Sequence, residues 1–168
     1  MKHLNSYWKQ VTLFSLLLLF SIAGLYAQSQ DKKIRDSVMK NIVEAKNYTF
    51  IAQTAQSTGG RLRELTSTYQ LDVHNDTVMA DLPYFGRAYT ASIDPSQGGI
   101  RFTSTNFDYI FTPKKKGGWN ILIKPKENID ARQLILDVSS SGFANLQVIS
   151  NNRQAISYAG YVTNRKKK

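Results

Sequence analysis

The chain of 168 residues contains no cysteine, which excludes disulfides, thiolate metal sites and a lipid-anchoring cysteine. Only two histidines are present, and His3 lies close to the amino terminus, before a long apolar run. The other, His74, sits in the turn-like run "HND" without the second histidine or the regularly spaced carboxylates that a metal site uses. These absences predict no metal, no cofactor and a fold that is stabilised by burial alone.

Catalytic motifs are equally scarce. There is no Gly-x-Ser-x-Gly elbow for a nucleophile, and the glycine-rich run "STGGR" at residues 57–61 lacks the Lys-Ser/Thr pair of a phosphate-binding loop. The best pair of carboxylates for glycoside hydrolysis is Asp108 and Asp137, but the sequence does not define their separation. We therefore predict that the protein is not an enzyme.

The amino terminus has the layout of a secretory signal peptide. Lys2 and Lys9 precede the apolar run "LFSLLLLFSIAGL", and "YAQSQ" places a small residue before polar ones, which predicts a signal peptide over residues 1–27, cleaved after Ala27. An uncleaved membrane anchor is the alternative reading, although the run is short for a span. The mature chain, residues 28–168, has the length of one domain and no predicted transmembrane span. Export without cysteine favours the periplasm or outer envelope of a Gram-negative bacterium.

The mature chain is basic. Loss of Lys2 and Lys9 lowers the formal charge from +10 to +8, and much of the excess lies in two runs, "KKK" at residues 114–116 and "RKKK" at residues 165–168. Neither run is interleaved with the aromatic residues that nucleic-acid binding uses, so we expect no nucleic-acid partner. Both runs are typical of solvated charge that aids solubility or makes peripheral contact with an anionic surface.

Hydrophobic periodicity predicts one helix followed by strands. An apolar stripe at Ile34, Val38, Ile42 and Ala45 indicates a helix of about four turns. Beyond it, apolar residues alternate with period two in about eight segments, and turn residues separate the segments. The segments carry Tyr48, Phe50 and Ala52; Tyr69, Leu71 and Val73; Ile100 and Phe102; Phe107, Tyr109 and Phe111; Trp119, Ile121 and Ile123; Leu134, Leu136 and Val138; Leu146 and Val148; and Ile156, Tyr158 and Gly160. This order favours a small antiparallel up-and-down β-barrel with the helix at one end or outside it, and a two-sheet β-sandwich is the alternative.

The run "LPYFGRAY", residues 82–89, combines features of architecture with features of a binding site. Pro83 and Gly86 are typical of a strand entry or a bend. Arg87 has two interpretations. It pairs internally with a carboxylate such as Asp108, or it lies at a barrel mouth and holds an anionic ligand with Tyr84 and Tyr89. Tyr158 is a further candidate for that ligand site.

A family resemblance adds to this reading. The runs "LPYFGRAY", "GGIRF", "FDYIF", "KKGGWNI", "SGFANLQV" and "NRQAISYAGYV" resemble a family of uncharacterised exported proteins from Gram-negative gut and environmental bacteria, each with a signal peptide and one domain of unknown function. The resemblance covers nearly the whole mature chain. It implies a mostly β, lipocalin-like barrel in the periplasm or outer envelope, and it implies no activity.

Two functions remain open at this stage. The first is a non-catalytic binding module for a small apolar or anionic ligand, and the second is a structural or protein-interaction component of the envelope. A hollow barrel favours the first function and a filled barrel favours the second. Thr77, in the run "DTV" after the predicted turn, additionally resembles an acceptor for O-glycosylation.

Overall fold

A computed structural model describes residues 34–89, 98–115 and 117–164. The predicted signal peptide, Lys116 and the basic tail at 165–168 lie outside these residues. Within them, helix α1 covers residues 34–44 and is followed by nine strands. The strands are β1 (Asn47–Ser57), β2 (Arg63–His74), β3 (Thr77–Leu82), β4 (Ile100–Ser104), β5 (Phe107–Pro113), β6 (Trp119–Pro125), β7 (Ala131–Val138), β8 (Phe143–Ser150) and β9 (Ile156–Asn164).

The strands form one antiparallel sheet in the order β4-β3-β2-β1-β9-β8-β7-β6-β5. Its two edge strands, β4 and β5, are joined by Thr105 and Asn106 alone, so the edges come together and the sheet is a nearly closed barrel. The predicted mainly β barrel with one helix is confirmed over the sandwich. There are nine strands and not eight because β3 was not counted. β4 and β5, which were predicted as separate segments, run in the same direction and form two halves of one bent strand, which pairs first with β3 and then with β6.

The pairing register defines two ends of the barrel. The helix end carries the β2–β3, β5–β6 and β7–β8 turns, the start of β1 and the end of β9. The loop end carries the β1–β2, β6–β7 and β8–β9 turns, together with the segment that follows β3. The predicted candidate residues of "LPYFGRAY" therefore lie at the loop end.

Side chains of the inward positions form the core of the barrel. The alternating residues predicted to face inward form one apolar cluster, and its largest fully buried members are Tyr48, Phe50, Leu71, Ile121, Leu134, Leu136, Leu146 and Tyr158. A bulge between Ala52 and Thr54 bends β1. Gly160 of β9 lies against this bend, where an added Cβ would stand 1.9 Å from the Ile51 carbonyl oxygen. The backbones of β1 and β9 can approach so closely only because residue 160 has no side chain.

Helix α1 closes the helix end with a different face from the one predicted. Val43 is fully buried in the core, Tyr109 Oη donates to the Val43 carbonyl at 2.9 Å, and Met39 lies against Gly142 in the β7–β8 turn. Ile34 and Val38, which head the predicted stripe, are 57% and 53% exposed. Ala45 is also exposed and follows the end of the helix, so the predicted stripe is wrong in Ile34, Val38 and Ala45. The helix runs across the barrel rim, so contacts to separate turns decide which side chains are buried.

Glu127, in the β6–β7 turn, holds the bend between β4 and β5. Its carboxylate accepts hydrogen bonds from Ser104 Oγ at 2.6 Å and from the backbone N–H groups of Thr105 and Asn106 at 2.9 Å each. These bonds, the one from Ser104 above all, lower the pKa of Glu127 to about 2. A carboxylate from the neighbouring turn thus fixes the point at which the barrel closes.

Candidate functional site

Residues 83–89 cross the loop end as a strap. They leave the end of β3 and reach the β8–β9 turn, although β2 and β1 lie between these elements in the sheet. An isolated bridge between Ala88 and Arg153, with a hydrogen bond from Tyr89 N to the Asn152 carbonyl at 2.8 Å, fixes the far end of the strap. From inside the barrel, the buried Tyr158 Oη donates to the Pro83 carbonyl at 2.6 Å. The segment is therefore a closure and not the start of a strand.

An arginine does lie at the centre of this closure, but it is Arg153 and not Arg87. The Arg153 guanidinium stacks over the ring of Tyr84 at 5.3 Å, lies 3.1 Å from the Asp130 carboxylate and donates to the Gly99 carbonyl at 3.0 Å. Only 17% of its side chain is exposed. Arg153 therefore makes the internal carboxylate contact that was considered for Arg87, and it stacks on an aromatic ring as well.

Arg87 is exposed, and its predicted partner is engaged elsewhere. Asp108 forms an ion pair with Lys126 at 2.6 Å, so the Arg87–Asp108 pair that we expected is wrong. Arg87 contributes to the closure through its backbone. Its N–H donates to Gln154 Oε1 at 3.2 Å, and its carbonyl accepts from Gln154 N at 3.0 Å and from Tyr84 Oη at 2.8 Å.

The four residues proposed for a ligand site are divided between the inside and the outside of the strap. Tyr158 is fully buried, and burial raises the pKa of its phenol well above the usual value. Tyr84 is half-buried and bonded to backbone carbonyls, whereas Arg87 and Tyr89 point into solvent. The structure therefore leaves Arg87 and Tyr89 accessible to a partner, while Tyr84 and Tyr158 are engaged in holding the strap. Ligand binding at these residues stays a prediction.

The strap also brings an exposed set of residues together that the sequence analysis did not single out. The guanidinium of Arg63, at the start of β2, stacks over the ring of Phe85 in the strap at 5.0 Å. Arg63 pairs across the sheet with the buried Ala55, so its side chain rises from the inner side of the rim toward the strap. Leu62 beside it is 63% exposed. The alternating run Arg61-Leu62-Arg63 directly after a glycine pair was the available signal for this set.

The other residues considered for chemistry are dispersed. Asp137 pairs with Lys114 at the helix end at 2.6 Å, far along the sheet from Asp108, so the two carboxylates do not form a hydrolytic pair. His74 contacts Asn47 Oδ1 at 3.2 Å. The described part of the chain contains no group of three or more histidines and carboxylates placed to hold a metal ion. Thr77 begins β3 and is partly exposed, and its glycosylation stays a prediction.

One open groove lies on the outer wall of the barrel, away from the strap. Its volume is about 520 Å³, and it is lined by Gln70, Asp72, Met79, Ala80, Asp81, Arg101, Phe102 and Thr103. The polar groups in it are largely paired with one another, since Gln70 donates to Asp72 and Arg101 donates to Asp81. Within residues 34–89, 98–115 and 117–164, no helix has the length and apolar character needed to cross a membrane.

Comparison with known proteins identifies the family. The family described as Domain of unknown function (DUF4251) matches residues 30–162, which include nearly all of the elements described above. The chain belongs to the DUF4251 family. A crystal structure of a DUF4251 family protein from Bacteroides eggerthii is similar, with 16% sequence identity, a TM-score of 0.57 and coverage of 78% of this chain and 88% of that chain. That likeness supports the fold of this DUF4251 chain. No curated protein matches the chain.

Proposed function

We propose that this protein is an exported, non-catalytic interaction module of the bacterial envelope, which acts through its surface and not through an internal cavity. The observation that carries the proposal is closure at both ends. Large side chains occupy the inward positions of the barrel, helix α1 covers one end, and the hydrogen-bonded strap covers the other. A small-molecule carrier needs a cleft or cavity of about 300–1,000 Å³. The groove of that size on the outer wall is open, and its polar groups are largely paired with one another.

The predicted signal peptide supports the location, because the run over residues 1–27 directs export. The absence of cysteine supports a bacterial compartment. The dispersed carboxylates support a non-catalytic role, because Asp108 and Asp137 are each neutralised by a separate lysine.

Native mass spectrometry of protein purified from its own envelope tests this proposal. The expected result is a folded chain that starts at Gln28 and carries no small molecule in a one-to-one ratio. A photo-crosslinking residue at Tyr89 on the strap, Met79 on the wall or Phe143 at the helix end, introduced in living cells, should capture an envelope component from at least one position. A stoichiometric small molecule that stays bound, with no adduct from any surface position, would overturn the proposal in favour of a carrier.

A further inference from the structure

We propose that the loop end docks on the surface of an anionic phospholipid bilayer. The contact surface is a docking rim made of Arg61, Leu62 and Arg63 from the β1–β2 turn and Phe85, Arg87 and Tyr89 from the strap. This inference rests on the proposed function, since it names the surface through which the module acts and the partner that the surface fits.

Within the described residues, the arginines of the docking rim have no carboxylate partner. Arg61, Arg63 and Arg87 are exposed, and within the described residues none of their guanidinium groups has a carboxylate within 4 Å. Some other cations are paired, as Lys114 is with Asp137 and Arg101 is with Asp81. Guanidinium groups donate two parallel hydrogen bonds to phosphate oxygens, so three exposed arginines suit a surface of phosphate headgroups.

The same rim exposes large apolar side chains. Leu62, Phe85 and Tyr89 are 63%, 41% and 69% exposed, and they come from two separate chain segments. The stacking of Arg63 on Phe85 shows that the two segments adjoin. Aromatic and leucine side chains flanked by arginine are the combination that enters the boundary between headgroups and acyl chains, because rings with a polar tip are favoured at that depth.

The shape of the rim favours a planar partner over an enclosed ligand. The groove described above lies on the outer wall and is lined by none of the rim residues. The strap is held in place by Tyr158 from below and by Asn152 and Gln154 at its end. A fixed, protruding surface loses little conformational freedom when it meets a bilayer, which favours binding without a pocket.

Vesicle sedimentation with the chain from Gln28 onward tests the proposal. Every element described here lies within that chain, and the apolar run of the signal peptide cannot contribute to binding. Vesicles of phosphatidylcholine alone are compared with vesicles that also contain phosphatidylglycerol. Because each arginine near an anionic bilayer contributes about 1 kcal/mol, or about fivefold in partitioning, the double variant R61Q/R87Q should bind anionic vesicles about 25-fold more weakly. The double variant L62S/Y89S should also weaken binding, by about tenfold or more.

The matched control removes two charges from the opposite end of the barrel. K114Q/K115Q has the same net charge as R61Q/R87Q and should stay within about twofold of the unsubstituted chain, apart from the small effect of net charge. Thermal unfolding by circular dichroism establishes that all three variants are folded. Equal losses in K114Q/K115Q and R61Q/R87Q would overturn the proposal, since nonspecific charge would then explain binding.

Two further outcomes also count against it. If the protein does not bind anionic vesicles, the proposal that the docking rim binds a bilayer is wrong. A protein captured by the crosslinker at Tyr89 would in that case leave the proposed function intact, with a different partner. Full competition by soluble glycerol phosphate at constant ionic strength would show a site for a free anion instead of a membrane surface. A small molecule retained inside the barrel would overturn the proposed function while the vesicle measurements stand by themselves.

Discussion

Replacing Arg153 by alanine should destabilise the fold far more than replacing Arg87, although Arg87 is the arginine in the aromatic run of the sequence. Arg153 joins three parts of the loop end, namely Asp130 in the β6–β7 turn, the Gly99 carbonyl before β4, and the ring of Tyr84 in the strap. The variant Arg153→Ala removes all three contacts at once and leaves the Asp130 carboxylate without its cation.

The magnitude follows from these contacts. A hydrogen bond to a charged group contributes about 1.5–3 kcal/mol, and a guanidinium over an aromatic ring contributes about 0.5–2 kcal/mol depending on its desolvation. The pair is only partly buried, with 17% and 29% of the two side chains exposed, so solvent screens part of its attraction. We expect a loss of about 2–4 kcal/mol for Arg153→Ala, which corresponds to a fall in Tm of about 10 °C. Arg87→Ala should change the free energy of unfolding by no more than about 0.5 kcal/mol.

Urea denaturation followed by tryptophan fluorescence measures both variants, because Trp119 lies in the barrel wall and is buried. The double variant R153A/D130N provides the control for the ion pair, and it should recover part of the loss because no unpaired carboxylate remains. If Arg87→Ala were the costlier change, or if Arg153→Ala were neutral, the assignment of Arg153 as the centre of the closure would be wrong.

Three further perturbations test the closure of the barrel. Gly160→Ala should lower the free energy of unfolding by about 2 kcal/mol or more in thermal denaturation, since its Cβ would collide with the Ile51 carbonyl, and insensitivity would show that β1 moves freely. Tyr158→Phe should lower the free energy of unfolding by about 1–3 kcal/mol, because the Pro83 carbonyl loses its buried hydrogen-bond donor. A neutral result would show that this hydrogen bond does not hold the strap. Glu127→Gln should destabilise the protein at neutral pH, and the difference should vanish as the pH falls from about 4.5 to about 2. The sign follows because the folded-state pKa is depressed, so the stabilisation is complete above the unfolded-state pKa and is lost as the pH falls through the folded-state pKa. Acid titration of both proteins checks this, and a constant difference at all pH values would contradict it.

Alternation with period two was sufficient to predict the barrel wall. Most inward residues expected from the sequence, such as Phe50, Leu71 and Leu136, are buried in one cluster. Tyr69, Phe102, Phe107, Tyr109 and Phe111 are only partly buried and pack against it. The reason is that a strand with one buried face repeats its contacts every second residue, so the pattern is local. The sequence pattern predicted β4 and β5 as two segments. That they are halves of one bent strand follows from their pairing with β3 and β6, and the local pattern does not encode this pairing.

The local sequence pattern could not predict which side chains of the helix and the strap are buried, and the reason is the same for both. Each crosses an end of the barrel and contacts elements that are distant in sequence, so its burial depends on the turns beneath it and not on its own periodicity. Val43 is buried because Tyr109 and the core lie under it, whereas Val38 projects beyond the rim. In the same way, the carboxylate of Asp130 and the ring of Tyr84 are contacted by Arg153, at the β8–β9 turn, and not by Arg87.

The β6–β7 turn links the two devices that close the barrel. Glu127 holds the bend where the edges of the sheet meet, and Asp130, three residues later, holds Arg153 and with it the strap. Asp130 also accepts a hydrogen bond from Asn152 N at 3.1 Å, beside the point where Tyr89 joins the β8–β9 turn. Because this one turn contacts both the junction of β4 with β5 and the β8–β9 turn to which the strap is bonded, we expect that loosening it weakens the closure of the barrel at two places at once.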